Sequence, residues 1–330
     1  MAETMRAVVG EVLGGVENYA FAEVPIPEPK AGEVLIKVSV SGMGYVDGLV
    51  SRGLYQVKPE VPYTPGLEFA GTIAALGEGV ESLVVGDVVA GSGFGGGLAE
   101  YAISSAGAIT KLPTDFDIRL AAGFGLNYTT ALHGLLDRGA LKSGETVLVL
   151  GAAGGTGIAA VQVAAMAGAR VIAGASTPAK RAFALEHGAT DSIDYTQDDW
   201  RKELKAMTDG RGVDVVFDPV GDTLLEPAFR SMAWRGRYLV IGFAGGPIPA
   251  LPVNLALLKG AALIGVDYRQ YGSVYEREAA DKTLQEAFAA VARGDLKPPL
   301  GQSFEFDDFA SAMSLAASRD GLGKTVVIVS

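Results

Sequence analysis

The sequence predicts an α/β protein in which a doubly wound parallel sheet is inserted into a mostly antiparallel β domain. Three observations carry that expectation. From about residue 126 to 266, short apolar runs alternate with segments suited to helix, the rhythm of consecutive βαβ units. Within that region, residues 147–150 (Val-Leu-Val-Leu) enter a glycine-rich turn and then a breaker-free segment at 158–167. Residues 1 to about 125 lack the rhythm and show short alternating segments (5–9, 33–40, 69–76) between Gly and Pro clusters, as antiparallel strands do.

A chain of 330 residues is long for one core, so two domains are expected. The doubly wound domain spans 126–266. Residues 1–125 form the other, and 267–330 return to it with a helix at 275–293 and a closing strand at 325–329. Inside 126–266 the pattern places strands at 147–150, 171–175, 192–195, 213–218, 238–241 and 261–266. Helices at 158–167, 198–207 and 223–233 alternate with them. The glycine run at 91–97 suits a loop, either a plain connection or a functional one.

The turn Ala152-Ala153-Gly154-Gly155-Thr156-Gly157 is G-x-G-x-x-G with Ala in the first glycine's place and Gly151 just before it. Residues without a Cβ let the backbone approach a pyrophosphate, and the first amides of the following helix point at its charge. Strand before and helix after are the context such a pattern needs, which makes Ala153, Gly154, Gly155, Thr156 and Gly157 candidate dinucleotide contacts. An NAD site places Asp or Glu about twenty residues further on. This chain has Ala175-Ser176-Thr177 there, then Lys180 and Arg181. No carboxylate repels a 2′-phosphate, and hydroxyls and cations can hold one, so NADPH with Ser176 and Lys180 is the expectation. The alternative is an ordinary solvated Lys-Arg pair at a helix start.

The net charge of −11 and a pI near 4.8 argue against nucleic acid as a partner. The absence of cysteine removes disulfides, thiol nucleophiles and thiolate metal sites, and the two histidines, His133 and His187, cannot build a histidine-rich one. No metal is expected. The most apolar region, 238–266, is cut by Pro247, Pro249, Pro252 and Lys259, so no membrane span is expected. The N-terminal residues carry an acid at Glu3 and no basic-then-apolar signal, pointing to the cytoplasm.

Five stretches resemble the zinc-independent quinone oxidoreductases of the medium-chain dehydrogenase/reductase superfamily. They are SGMGYVDGLVSRGLY (41–55), PGLEFAGTI (65–73), VLVLGAAGGTG (147–157), GRGVDVVFDPVG (210–221) and GRYLVIGF (236–243), in the family's order over nearly the whole chain. The resemblance implies a GroES-like β domain around a Rossmann domain, and often a homodimer paired through sheet edges. Zinc-using relatives have Cys and His where this chain has Gly44 and Leu67. It implies hydride transfer from NADPH to a small-molecule quinone or activated enone, with Tyr55 as candidate donor to the developing oxyanion and Tyr45 beside it. A packed aromatic at a strand end is the other reading of Tyr55.

Further contacts come from the resemblance alone: Asn127 and Thr130 toward the nicotinamide and phosphates, and Tyr195 along the 2′-phosphate with Lys180. Val220, Gly242 and Phe243 end strands, where ligands of doubly wound sheets sit. The family's usual Asn is replaced by Gly44; Asp47 and Glu68 are expected to serve structure. Lys324 is expected to be solvated or to reach a phosphate. An enone or enoyl-thioester reductase and a weakly catalytic NADPH-binding sensor or structural protein are the alternatives.

Overall fold

The apolar runs after residue 126 form a six-stranded sheet in the computed structural model, which describes residues 3–113 and 116–330. All its pairs are parallel, in the order Asp191–Ile193, Arg170–Gly174, Thr146–Leu150, Val213–Asp218, Met232–Val240, Ala262–Gly265. The first strand in sequence therefore lies inside the sheet, and the order reverses between it and Val213–Asp218. Both of these strands are buried along their whole length, which requires side chains apolar on both faces. Leu148, Ile172, Val216, Phe229 and Tyr238 pack in one core cluster. Each large apolar side chain buried there stabilises the fold by about 1.5–3 kcal/mol.

Two local expectations are corrected. The segment 223–233 is not one helix: a 3₁₀ turn, Asp222–Leu224, leads into the short helix Leu225–Arg230. Met232 and Ala233 already belong to the next strand, Met232–Val240, which starts well before the predicted 238. A register shift against Val213–Asp218 and a left-handed Arg235 (φ 65°) let that strand turn mid-course, and no short-range pattern signals this.

The chain divides into two compact units, Met1–Gly125 with Pro299–Ser330, and Leu126–Pro298. The segment 267–298 therefore stays with the parallel sheet instead of returning at 267. Long-range side-chain contacts hold it. Gln162 Oε1, on helix Gly155–Met166, accepts from the Lys297 amide (2.9 Å) while its Nε2 donates to the Lys297 carbonyl (2.8 Å). His133 stacks on Tyr271, with ring centres 3.8 Å apart. The helix predicted from 275 runs Arg277–Arg293.

In the other unit, strand Glu33–Met43 is flanked by Glu68–Leu76, by Tyr101–Ser105 and by the C-terminal strand Lys324–Ile328, all antiparallel to it. Val88–Ser92 and Ile109–Lys111 extend the sheet on one side, and Leu300–Glu305 joins Lys324–Ile328 in parallel on the other. Thr4–Gly10 and Tyr19–Pro25 form a separate hairpin pair. A helix that was not anticipated, Tyr45–Ser51, interrupts the β region. Among the described residues no helix is long and apolar enough to cross a membrane.

Candidate functional site

The carboxyl ends of the parallel strands collect most of the predicted contacts. Strand Thr146–Leu150 ends at Gly151, whose φ of 59° turns the chain left-handed, and the helix starts at Gly155 after the extended N-cap Gly154. A Cβ on Gly157 would lie 2.1 Å from the Gly151 carbonyl oxygen, so this glycine lets helix and turn meet. At Gly154 the nearest atom would be that same oxygen at 3.6 Å, leaving the mouth of the turn open. The amides of Gly155, Thr156 and Gly157 have no acceptor within their own helix. An open mouth, a tight floor and first-turn amides fit a dinucleotide pyrophosphate.

Asn127 joins this turn. Thr156 Oγ1 donates to Asn127 Oδ1 (2.9 Å), and a Cβ on Gly155 would fall 2.7 Å from Asn127 Nδ2. Thr130, a turn further along helix Ile118–Leu132, donates its hydroxyl to the Leu126 carbonyl (2.6 Å), which leaves it only lone pairs to offer a ligand. Ala153 is buried in the turn itself.

Val220, Gly242 and Phe243 are brought together beside the turn. Val220 Cγ2 would be 2.9 Å from a Cβ on Gly151, and Phe243 Cδ1 2.9 Å from one on Gly221. Asp218 organises this corner, a role the sequence reading missed. Its Oδ1 accepts from the amides of Val220 (2.8 Å) and Gly221 (2.9 Å), and its Oδ2 from the Tyr238 hydroxyl (2.6 Å). Burial pushes its carboxyl up, opposed by those three bonds. An Asp whose amide partners lie two and three residues on was the available signal.

At the far side of the sheet, Ser176 follows strand Arg170–Gly174 and Tyr195 follows Asp191–Ile193; the Ala175 amide donates to the Ile193 carbonyl (3.1 Å), so the two ends run side by side. Thr177 caps helix Pro178–Glu186 by accepting from the Lys180 amide (3.3 Å), which places half-buried Lys180 in the first turn. Arg181 points elsewhere, to the Ala175 carbonyl and Asp194.

The catalytic candidates belong to the other unit. Tyr45 opens helix Tyr45–Ser51 and is half-buried; Tyr55 lies in a bend after it, not at a strand end, and packs against the core of Met43, Val50 and Leu67. Asp47 is buried as a cap, accepting from Gly44 (2.8 Å) and Leu67 (2.9 Å) amides. Burial pushes its carboxyl up, opposed by nearby Lys324 and these amides. The two expectations for Lys324 are both corrected: it is buried and donates to Glu68 Oε2 at 2.6 Å. Burial works against its charge, but Glu68 and Asp47 outweigh that and raise its pKa. A Cβ on Gly44 would lie 3.2 Å from Lys324 Nζ, so the ammonium borders the position where the family usually has Asn.

His187 Nδ1 is 2.7 Å from the Phe183 carbonyl. His133, stacked on Tyr271, is held below the usual imidazole range by burial, partly opposed by Asp137. Among the described residues no cluster of three His, Asp or Glu is placed to hold a metal ion.

A mostly antiparallel GroES-like unit and a doubly wound unit with a glycine turn at its strand-order reversal define the medium-chain dehydrogenase/reductase class. Comparison with known proteins narrows it. The family described as "Alcohol dehydrogenase GroES-like domain" matches residues 30–114, and "Zinc-binding dehydrogenase" matches 155–288. A quinone oxidoreductase-like protein 2 homolog of Nematostella vectensis is 36% identical over 301 residues, covering 89% of this chain and 81% of that protein. The quinone oxidoreductase of Sus scrofa is 33% identical over 329 residues, 98% of each. The structure of Escherichia coli quinone oxidoreductase complexed with NADPH matches with a TM-score of 0.91 at 26% identity, covering 98% of this chain and 100% of that one. The chain belongs to the zinc-independent quinone oxidoreductase branch of that superfamily. It is an oxidoreductase.

Proposed function

We propose that this enzyme transfers hydride from NADPH to a quinone or an activated α,β-unsaturated carbonyl, without a metal, as a cytoplasmic homodimer. The observation that carries the cofactor choice is the strand edge at 174–176. No carboxylate ends strand Arg170–Gly174; Ser176 follows it, Lys180 stands in the first turn of the next helix, and the Tyr195 ring lies against Gly174. Ala153 to Gly157 hold the pyrophosphate, with Asn127 and Thr130 beside it. Val220, Gly242 and Phe243 line the path between adenosine and nicotinamide. Bound NADPH supplies the hydride. The protein positions the acceptor and offers donors, Tyr55 and Tyr45, to the oxygen that gains charge.

Metal-free chemistry is supported by Gly44 and Leu67, neither a ligand, and by the Lys324 ammonium beside Gly44. A homodimer is supported by apolar surface on the parallel-sheet unit. Edge strand Ala262–Gly265 carries half-exposed Leu263, and Trp234, Val253, Leu257 and Leu258 are 67–85% exposed nearby in sequence or against Gly260. Such an edge left bare favours aggregation, and a second copy would cover it.

The test is oxidation of NADPH, with NADH in parallel, against quinones, enones and one enoyl-CoA. Fast quinone turnover with NADPH alone is the expected result. Turnover of enones or the thioester alone would move the enzyme to that substrate class; tight NADPH binding without turnover would make it a sensor. Sedimentation velocity should give twice the 34.0 kDa chain mass.

A further inference from the structure

Arg181 lies one residue from Lys180, yet its guanidinium is directed into the protein. Nη1 donates to the Ala175 carbonyl (3.1 Å) and lies 2.9 Å from Asp194 Oδ2. Ala175 immediately precedes Ser176, and Asp194 immediately precedes Tyr195. The two side chains are only 19% and 20% exposed, so this pair is less screened than a surface one. Asp194 is fixed from its other side, where Oδ1 accepts from the Thr196 amide (3.0 Å) and hydroxyl (2.6 Å). The Tyr195 ring leans on the sheet, its Cδ1 3.2 Å from where a Cβ on Gly174 would be.

We infer that Arg181 is a positioning residue for cofactor choice: it staples the ends of strands Arg170–Gly174 and Asp191–Ile193, setting the spacing of Ser176 and Tyr195 for an adenosine 2′-phosphate. This rests on the reading that the 2′-phosphate meets Ser176, Lys180 and Tyr195. The backbone bond from Ala175 to Ile193 is the last of a short ladder between these two strands, because strand Asp191–Ile193 has three residues. A dinucleotide lacking the phosphate does not use that spacing, so NADH should be insensitive to it.

Equilibrium binding, followed by fluorescence with NADPH and NADH, tests the inference. Arg181→Met should raise the NADPH Kd about tenfold, the scale of one misaligned charge-assisted hydrogen bond. The NADH Kd should stay within about twofold, which also reports an intact fold, and Arg181→Lys should recover part of the loss. The rival account is that Arg181 merely attracts the phosphate through its charge. Asp194→Asn separates the two: removing a negative charge would then tighten NADPH, whereas a loosened staple weakens it about threefold. Tighter NADPH in Asp194→Asn, or equal loss of NADPH and NADH in Arg181→Met, overturns the inference. Lys180→Glu is the control and should shift preference toward NADH. If it leaves NADPH binding unchanged, the 2′-phosphate reading falls and takes the inference with it. If Lys180→Glu weakens NADPH but Arg181→Met does not, the staple alone is wrong.

Discussion

The carboxyl edge of the parallel sheet and the Gly44–Lys324 corner of the other unit treat polar groups in opposite ways. At the sheet edge, the proposed cofactor site is built from main chain: amides at a helix start, glycines that admit close approach, and loops held in place by Asp218. At Gly44, side-chain charges are buried against one another, Lys324 with Glu68 and Asp47. The first arrangement leaves donors facing outward for a ligand. The second consumes them internally, beside Gly44.

The largest expected effect breaks the buried corner. Lys324→Met removes the ammonium paired with Glu68 and should cost about 3–5 kcal/mol in urea denaturation. The double variant Lys324→Met with Glu68→Gln should recover part of that, since Glu68 then leaves no unpaired charge and Asp47 keeps its two amide donors. If the single variant is as stable as wild type, this corner is not a buried charge pair in the physical sense. Next, Gly157→Ala places a Cβ 2.1 Å from the Gly151 carbonyl, so the turn must shift. NADPH affinity should fall about a hundredfold, or about 2.7 kcal/mol at 1.36 kcal/mol per decade, measured by titration. An unchanged Kd would show that the backbone cradle does not meet the cofactor.

A smaller effect sharpens the link between the edge and its support. Tyr238→Phe deletes the donor to buried Asp218 and should destabilise by about 1–3 kcal/mol. NADPH should weaken severalfold through the loosened 219–221 loop, with kcat at saturation little changed. The smallest effect lies at the opposite end of the same sheet. Burial pushes the Asp214 carboxyl up, but the Arg211 guanidinium and the Thr146 amide more than offset this and hold it below the usual carboxylate range. Stability from this group is therefore present above the unfolded carboxylate pKa of about 3.9 and lost as pH falls through the lower folded value. Acid titration of Asp214→Asn should show a shallower loss below pH ~4 than wild type, by up to about 1 kcal/mol.

What was legible in the sequence follows local periodicity. The runs 147–150 and 213–218 sit in strands of the sheet because a strand buried on both faces must be apolar at every position. The glycine turn was equally plain, since its conformation depends on residues within six positions of each other. Strand Met232–Val240 was cut short because Trp234, Arg235 and Gly236 break the apolar pattern where the chain bends. Asp218, Arg181 and Lys324 escaped for a different reason. Their partners Tyr238, Asp194 and Glu68 are 20, 13 and 256 residues away, and no spacing rule connects such pairs.

By itself, then, the sequence determined the α/β class, the order of the parallel strands' supply along the chain and the glycine-lined turn, because each depends on short-range sterics and hydrophobic period. Only the tertiary structure decided that 267–298 stays with the parallel sheet, that Arg181 faces inward while Lys180 stands at the edge, and that Lys324 is a buried ion and not a solvated one. Those outcomes depend on where distant strands bring single side chains, and on whether burial leaves a charge with a partner.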